Sequence, residues 1–442
     1  MLTTKKLTLA VLFTLLSISI QAQNSTFTTQ GNKIIDPCGN HFVPKGVNYS
    51  LLDDWNFPSN LNNGKERSVE IIQSNANTVR IMWYVDYGNN ARAAYELHHL
   101  DSVISRFSRA NMVSIIELHD FTHIHTDTTL FNTKIVGFWT SPNVIALLDK
   151  HKSHVWLNIA NEYGPAMYPA DLNYALNPNY SAQVLVWAEH YKNVIKSIRN
   201  AGIEVPIVVD APNYSLDMQA TLTHGADFVN ADPLKRLILS NHAYWNESVN
   251  DLQNRVNQLS ALNFPVLFGE VGNVDASCAN IPNYTSLLEQ CETNDLGWLA
   301  WTWNRDICAD RNMTPNVTND PNSATDGKFT SLTPYGNEIV NNVNFGLANK
   351  AQKACFETIS IHETATSKFK LMPNPAHDFV QIFFEENETA QVEIYDLSGK
   401  KIAHYANVNT NKSVSVQDLA TGVYLVKVHL KNETFTQKLI KH

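Results

Sequence analysis

Residues 155–164, with the sequence VWLNIANEYG, decide how the fold is predicted. The apolar and β-favouring run is typical of a buried strand, yet it leads directly to Asn161 and Glu162. A carboxylate carried into an apolar interior is costly unless it is paired or put to use. The strand therefore either opens into an active site or ends in an ordinary strand-to-loop junction, and the other strand ends distinguish these interpretations.

Short β-rich runs and longer helical patterns alternate along most of the chain. The predicted strands are Val43–Tyr49, Asn77–Trp83, Met112–His119, His154–Asn161, Pro206–Ala211, Leu237–Tyr244, Pro265–Glu270 and Gly297–Trp303. Amphipathic stretches between them include Glu96–Ala110, Ser181–Ala201 and Ser248–Leu262. Eight such units predict an α/β fold of the (β/α)₈ (TIM) barrel type. A doubly wound open sheet is the alternative, but no glycine-rich phosphate fingerprint follows the first strand.

Composition agrees with a globular protein larger than one small domain. The chain has 442 residues, of which 44% are hydrophobic and 17% charged. Its net charge is −9 and it contains no block of Lys and Arg, which excludes nucleic acid as an expected partner. Aromatic residues make up 10%, which fits a sugar-stacking cleft and an aromatic core equally well.

The N-terminus predicts export. Lys5 and Lys6 precede an apolar run, residues 7–20, that is short for a membrane span and typical of a signal peptide. Cleavage after Ala22 gives a signal peptide over residues 1–22 and a secreted or cell-surface protein.

The C-terminal part changes character. Residues 24–352 are predicted to form the barrel domain and 353–366 a linker. Residues 367–442 contain short alternating strands, with turns at 396–399 and 421–422 and no intervening helix. This pattern predicts a small antiparallel β-sandwich.

Polar or aromatic residues follow most of the predicted barrel strands. Because the carboxyl ends of the strands meet at one rim, these residues are expected to lie together. In strand order they are Arg80, His119, Asn161, Glu162, His242, Tyr244, Glu270, Trp301 and Trp303.

Glu162 and Glu270 follow the fourth and seventh strands, which face each other across the ring. Two carboxylates flanking a glycosidic bond supply a nucleophile and an acid/base. These roles need different environments, since one carboxyl must stay ionised and the other must hold a proton. Arg80 would keep one of them charged.

The remaining rim residues have supporting roles in this interpretation. His242 and Tyr244 would donate hydrogen bonds to the same carboxylate as Arg80. Asn161 and His119 would contact the sugar. Trp301 would present a face to a sugar ring, and Trp303, two residues further along the strand, is a second candidate.

These positions resemble those of family 5 glycoside hydrolases, retaining (β/α)₈ glycosidases with catalytic glutamates on strands four and seven. The Asn-Glu pair of the acid/base is matched by Asn161-Glu162, and the nucleophile by Glu270 in FGEVGN. The other matches, over residues 30–350, are Arg80, His119, His242, Tyr244 and Trp301. The resemblance implies a two-glutamate double displacement without a cofactor.

Several runs resemble bacterial β-1,4-mannanases: NIANEYG (158–164), VNADPLK (229–235), GWLAWTW (297–303) and LTPYGNEIV (332–340). We therefore expect an endo-1,4-β-mannanase that acts as a monomer on polysaccharide. Tyr163 and Val271 depart from the usual residues beside the catalytic pair and bear on substrate choice. An endo-β-1,4-glucanase and a non-catalytic glycan-binding barrel are the alternatives.

Residues 366–442 resemble the type A sorting domain of the type IX secretion system. The matches are Pro373-Asn374-Pro375, IYDLSGK (394–400), LATGVYLVKV (419–428) and the terminal KLIKH. The resemblance implies the type IX machinery as a partner. A carbohydrate-binding sandwich is the alternative.

Three further signals concern metals and disulfides. His119, His123 and His125 suggest metal ligands at first sight, but the last two lie beyond the strand, so no metal is expected. Cys278 and Cys308 lie on rim loops of adjacent strands and are a possible disulfide, and Cys38 and Cys355 are another. The Asn- and Asp-rich loop 306–326 is a possible calcium site, although an ordinary loop is the simpler interpretation.

Overall fold

The computed structural model describes most of the chain and two compact units that divide after Phe356. The described residues are 26–51, 67–85, 96–122, 127–166, 178–275, 277–304, 306, 308–311, 313, 332–356, 369–384, 389–396, 399–409, 412–430 and 433–442. The predicted signal peptide, His123 and His125 lie outside them, as does most of the loop 306–326. Within the described residues, no helix combines the length and apolar character needed to cross a membrane.

The first unit contains a closed barrel of eight parallel strands, as predicted. Strands β4 to β11 follow one another around the ring, and β11 pairs with β4 to close it. They are β4 Lys45–Tyr49, β5 Thr78–Trp83, β6 Val113–Leu118, β7 Val155–Asn158, β8 Ile207–Asp210, β9 Leu237–Ala243, β10 Val266–Val271 and β11 Gly297–Ala300.

Helices lie between the strands and pack apolar faces against the barrel. They are α1 Ser68–Gln73, α2 Leu97–Arg109, α3 Thr128–Phe131, α4 Gly137–Trp139, α5 Pro142–Lys150, α6 Pro178–Asn200, α7 Met218–Ala231, α8 Val249–Ser260, α9 Tyr284–Thr293, α10 Pro334–Asn341 and α11 Leu347–Lys350. A π-helical turn, Asn132–Val136, joins α3 to α4, and a 3₁₀ turn covers Ala309–Arg311. In α2, for example, Leu100, Val103, Ile104 and Phe107 recur at helical spacing and are buried.

The strands change character along their length. Residues two apart on a strand point to the same side, so one inward-facing row can be followed upward. On β8, Val208 belongs to an apolar cluster and Asp210 follows it; on β7, Trp156 is followed in the same way by Asn158. Each row therefore begins apolar and ends polar, and this polarity places the charged groups at the carboxyl ends of the strands.

A three-stranded sheet closes the other end of the barrel. It consists of β1 Thr28–Gln30, β2 Lys33–Ile35 and β3 His41–Phe42. Phe27 and Phe42 pack against Trp156, with ring centroids 5.2 and 6.1 Å apart. These aromatic contacts fill the end of the barrel opposite the charged groups.

Residues 353–356, assigned to the linker by the sequence analysis, contact this same end. Cys355 forms a disulfide with Cys38, with a Cα–Cα distance of 5.6 Å. The ring of Phe356 stacks on His154 at 3.7 Å. The disulfide joins residues 317 positions apart and ties the end of the unit to its beginning.

The second unit contains two antiparallel sheets, in agreement with the predicted sandwich. One has the order β12-β13-β16 and the other β15-β14-β17-β18. The strands are β12 Phe369–Met372, β13 Phe379–Phe384, β14 Thr389–Tyr395, β15 Lys401–Asn409, β16 Lys412–Ser415, β17 Gly422–Leu430 and β18 Glu433–Lys441. Val380 and Ile382 from the first sheet share one core with Val392 and Val426 from the second.

Candidate active site

Glu162 and Glu270 meet at the mouth of the barrel. Glu270 lies on β10, and Glu162 follows β7, three positions away around the ring. One carboxylate oxygen from each lies within 4.8 Å of the other and of a ring nitrogen of His242. The structure thus brings together two carboxylates that are 108 residues apart in the sequence.

Arg80 is at the centre of a group of hydrogen-bonded polar side chains at the carboxyl ends of the strands, called the polar layer below. Its guanidinium, 1% exposed, donates hydrogen bonds to Glu270 Oε1 at 2.9 Å and to Asp210 Oδ2 at 3.2 Å. It also donates to side-chain oxygens of three asparagines, namely Asn48, Asn158 and Asn161, at 2.6–3.0 Å. A planar group with five donors suits this arrangement, because it holds several acceptors in fixed directions.

Glu270 has two hydrogen-bond donors that favour its ionised form against the effect of burial. Arg80 donates to one oxygen, and the Tyr244 hydroxyl donates to the other at 2.6 Å. Burial raises the pKa of Glu270 to about 7, and the Arg80 charge and the Tyr244 hydrogen bond limit that rise. Two of the three partners expected from the sequence, Arg80 and Tyr244, therefore donate hydrogen bonds to this carboxylate.

Glu162 lies in surroundings that favour its protonated form. Burial and the nearby charges of Glu270 and Asp210 raise the pKa of Glu162 well above its usual value. Its Oε1 is 2.8 Å from His242 Nδ1, and its side chain is 12% exposed. The two glutamates thus differ in the way that an acid and an anionic nucleophile differ.

His242 contacts Glu162 more closely than Glu270. Nδ1 lies 2.8 Å from Glu162 Oε1 and 3.5 Å from Glu270 Oε2. The sequence analysis expected it to support the same carboxylate as Arg80, and the shorter contact is to the other one. Burial, together with the positive charges of Arg80 and His119, lowers the pKa of His242 well below its usual value, so this imidazole is neutral.

Sequence reasoning missed four residues of the polar layer. Asn48, Glu117, Asn158 and Asp210 are fully buried and surround Arg80. Each is a polar residue in the last four positions of a predicted strand, which is the same signal that identified Arg80. The first and fifth strand ends supply Asn48 and Asp210.

Trp301 and His119 form one wall of the site. Their rings are nearly parallel, with centroids 6.1 Å apart. The Trp301 indole N–H donates to Asp306 Oδ2 at 2.6 Å, and Cys308 N donates to Asp306 Oδ1 at 2.8 Å. Cys308 forms a disulfide with Cys278, with a Cα–Cα distance of 5.4 Å. The rim loops after β10 and β11 are therefore joined covalently beside the tryptophan.

Asn161 lies beneath the two glutamates and is 1% exposed. Its amide oxygen accepts from Arg80, and its amide nitrogen donates to Thr122 at 2.8 Å. These contacts fix the orientation of the side chain next to Glu162.

Trp303 does not line the cleft, in contrast to its predicted role. Its side chain is fully buried, and its indole N–H donates to Glu70 Oε2 at 3.0 Å. Strand β11 ends at Ala300, so the two-residue alternation that would align Trp303 with Trp301 does not extend that far. Trp303 is a core residue.

Tyr163 is also buried, at 1% exposure. Its ring packs against Phe131 with centroids 4.0 Å apart, and its hydroxyl lies 3.1 Å from His190 Nδ1. It therefore supports the loop that carries Glu162 from behind and does not present a surface to substrate.

One group of described residues has metal-ligand spacing, and it consists of the two glutamates and the histidine between them: Glu162, His242 and Glu270. The Arg80 guanidinium, 2.9 Å from Glu270, opposes a cation at this position. The described residues therefore favour acid–base chemistry over metal binding here.

A (β/α)₈ barrel with paired carboxylates at its mouth defines the class of protein, a glycoside hydrolase. Residues 35–306 match the model of the family described as cellulase (glycosyl hydrolase family 5). The chain belongs to this family, as the sequence analysis expected. Residues 370–442 match the model described as a secretion system C-terminal sorting domain.

Curated relatives and solved structures agree with this assignment. A mannan endo-1,4-beta-mannosidase of Cellvibrio japonicus (strain Ueda107) is 26% identical over 77% of this chain and 71% of its own length. One of Salipaludibacillus agaradhaerens is 28% identical over 63% of this chain and 81% of its own length. The catalytic domain of a mannanase from Streptomyces sp. SirexAA-E has the same fold, with a TM-score of 0.60 at 22% identity, covering 78% of this chain and 98% of that domain.

Proposed function

We propose that this protein is a retaining endo-1,4-β-mannanase in which Glu270 is the nucleophile and Glu162 the acid/base. The separation of the two carboxylates carries the proposal. Their nearest ligand oxygens lie within 4.8 Å, which suits the spacing of about 5–5.5 Å in retaining glycosidases and not the spacing of about 6.5–9.5 Å in inverting ones.

In the first step, an oxygen of Glu270 bonds to the anomeric carbon as the glycosidic C–O bond breaks. Glu162 gives its proton to the departing oxygen, so the leaving chain departs as a neutral alcohol. Arg80 and Tyr244 hold Glu270 ionised and oriented for this attack. The result is a covalent glycosyl-enzyme with an ionised Glu162.

In the second step, Glu162 accepts a proton from water. The water oxygen bonds to the anomeric carbon, and the bond to Glu270 breaks to regenerate its carboxylate. Two inversions at the same carbon retain its configuration. No step needs a cofactor.

We assign sugar contacts to Trp301, His119 and Asn161. Trp301 and His119 present nearly parallel rings beside the two glutamates, and an apolar sugar face stacks on such rings. The amide nitrogen of Asn161 has a second hydrogen beyond the one given to Thr122, and it lies next to Glu162 in the chain.

The choice of mannan rests on the relatives named as mannan endo-1,4-beta-mannosidases. The second candidate is an endo-β-1,4-glucanase, favoured by the family description as cellulase. Mannose and glucose units differ in the C2 hydroxyl, axial or equatorial, so the choice depends on contacts to that one group.

We further propose export through the signal peptide 1–22 and then the type IX machinery, with residues 370–442 as the sorting signal. The enzyme would act as a monomer on extracellular polysaccharide.

Two assays test the proposal on the chain without residues 1–22. The first measures reducing-sugar release from galactomannan and carboxymethyl-cellulose side by side. Release from mannan alone supports the mannanase, release from the glucan alone supports the second candidate, and release from neither contradicts both.

The second assay examines Glu162→Ala and Glu270→Ala with azide. On an aryl β-mannobioside with a dinitrophenolate leaving group, which departs without a proton, azide should restore cleavage in both, giving a β-glycosyl azide with Glu162→Ala and an α-glycosyl azide with Glu270→Ala. Full activity in either variant without azide would remove that residue from the mechanism.

A further inference from the structure

Asp210 ends strand β8 and contacts Arg80, His242 and the backbone of Glu162. It is fully buried. Its Oδ2 accepts from the Glu162 backbone N–H and from Arg80 Nη2, each at 3.2 Å. Its Oδ1 accepts from Asn158 Nδ2 at the same distance. These three donors, one of them a guanidinium, hold the carboxylate in one orientation and offset part of the rise in its pKa that burial causes.

The hydrogen bond to the Glu162 backbone bears on the conformation of that residue. Glu162 has φ of 50°, in the left-handed region that residues with a side chain disfavour. Such a conformation persists only where surrounding contacts impose it. The Asp210 carboxylate supplies one of these contacts from a neighbouring strand, so it helps to set the direction of the Glu162 side chain.

The same carboxylate faces the far side of the His242 ring. Oδ2 lies 3.5 Å from Nε2, a long contact that is electrostatic in character. A carboxylate at Nε2 favours the tautomer with its proton on that nitrogen, which leaves a lone pair on Nδ1. Nδ1 is 2.8 Å from Glu162 Oε1, so the hydrogen between them belongs to the Glu162 carboxyl group.

Asp210 therefore acts on Glu162 by two routes, through its backbone and through His242. We propose that Asp210 is a positioning residue that keeps Glu162 protonated and correctly oriented in the resting enzyme. This inference rests on the proposed acid/base role of Glu162.

Besides Asp210, the charged groups that act on the pKa of Glu162 are Glu270, Arg80 and Glu117. His242 contacts Glu162 as a neutral imidazole. Glu117 offers a matched control, because it is an equally buried acid that lies 3.7 Å from the same guanidinium. Its carboxylate lies 2.8 Å from His119 Nδ1, whereas the Glu162 backbone N–H donates to Asp210.

The test is the pH dependence of kcat/KM for Asp210→Asn and Glu117→Gln in the full chain without residues 1–22. The basic limb of this profile reports the acid group of the free enzyme. With the Asp210 charge removed, Glu162 loses its proton at lower pH, so this limb should move down by about one pH unit or more. Above the new limb, kcat/KM on mannan should fall about 10-fold relative to the parent. Glu117→Gln should move the limb by less.

A second substrate separates proton donation from general damage. An aryl β-mannobioside with a dinitrophenolate leaving group needs no proton from Glu162, so Asp210→Asn should cleave it at a rate close to that of the parent. Equal losses on both substrates would indicate a merely structural role and overturn the proposal, as would an unmoved basic limb.

If Asp210→Asn does not fold, because its amide N–H groups meet those of Asn158, the smaller Asp210→Ser replaces it in both assays. Failure of the proposed function is recognised separately. If azide does not rescue Glu162→Ala, the acid/base assignment itself is wrong. If azide does rescue it and the Asp210 variants behave as the parent, only the role of Asp210 is wrong.

Discussion

Replacing Tyr244 with phenylalanine tests why Glu270 is ionised. The variant removes one hydroxyl, which donates to Glu270 Oε2 at 2.6 Å, and leaves the ring in place. A hydrogen bond to a charged group contributes about 1.5–3 kcal/mol, and here it favours the ionised form. Since about 1.4 kcal/mol corresponds to one pKa unit, the pKa of Glu270 should rise by about one to two units.

The sign of the expected pH effect follows directly. A nucleophile with a higher pKa becomes ionised only at higher pH, so the acid limb of kcat/KM should move up by the same one to two units, roughly. The assay is the initial rate of mannan hydrolysis between about pH 4 and 9. The basic limb, which belongs to Glu162, should move much less.

Tyr335→Phe is the matched control. The Tyr335 hydroxyl is also buried and donates at 2.6 Å, but its acceptor is the backbone carbonyl of Val271, next to Glu270 in the chain. Its loss should lower the melting temperature and leave both limbs in place. The reasoning is refuted if the acid limb of Tyr244→Phe coincides with that of the parent, or if Tyr335→Phe moves it equally.

Three further predictions concern other parts of the barrel domain. Trp303→Ala should lower the free energy of unfolding by about 3–5 kcal/mol, because a fully buried indole is lost, whereas Trp301→Ala should mainly raise KM. Denaturant titration and steady-state kinetics measure these two effects, and a raised KM in a stable Trp303→Ala variant would contradict the prediction. The double variant Cys38→Ser/Cys355→Ser should lose about 2–4 kcal/mol of unfolding free energy with kcat unchanged at 25 °C, since that disulfide lies at the end of the barrel opposite the active site. A lower kcat would contradict this prediction and show that the two ends of the barrel are coupled. Dialysis against a chelator should leave the rate of mannan hydrolysis unchanged, because carboxyl groups act as the acid and the nucleophile in the proposed mechanism. A rate that falls on dialysis and returns when Ca²⁺ or Zn²⁺ is added would disprove this prediction.

Much of the barrel was predictable because runs typical of strands alternate in this chain with stretches whose apolar residues have helical spacing. Alternating β-rich runs and helical stretches gave eight strands whose bounds differ from the structure by a few residues at their ends. The strand ends with charged residues, such as Arg80 and Glu270, stood out because a charge after an apolar run needs an explanation. The disulfide between Cys278 and Cys308 followed from counting residues beyond adjacent strand ends.

What the sequence did not reveal depends on contacts between strands. Asp210 precedes Ala-Pro-Asn, so it is equally typical of a turn, and only the closed barrel brings it to the Glu162 backbone. Trp303 follows the pattern of Trp301, but the strand ends before either residue. The left-handed backbone of Glu162 has no signature in NIANEYG, since a glutamate there could equally be extended.

The polar layer itself explains why the two glutamates cannot be chemically equivalent. Four carboxyl groups, from Glu117, Glu162, Asp210 and Glu270, act on the single guanidinium of Arg80. The Arg80 guanidinium, even with His119 beside Glu117, does not compensate four buried anions, so at least one carboxyl in this set holds a proton. Arg80 makes ion-pair contacts with three of the four, at 2.9–3.7 Å, and Glu162 is the one outside these contacts. Glu162 is also the most exposed of the four, at 12%, and therefore the one that can pass its proton to a bound substrate. In the proposed mechanism, the position of one arginine thus decides which glutamate serves as the acid and which as the nucleophile.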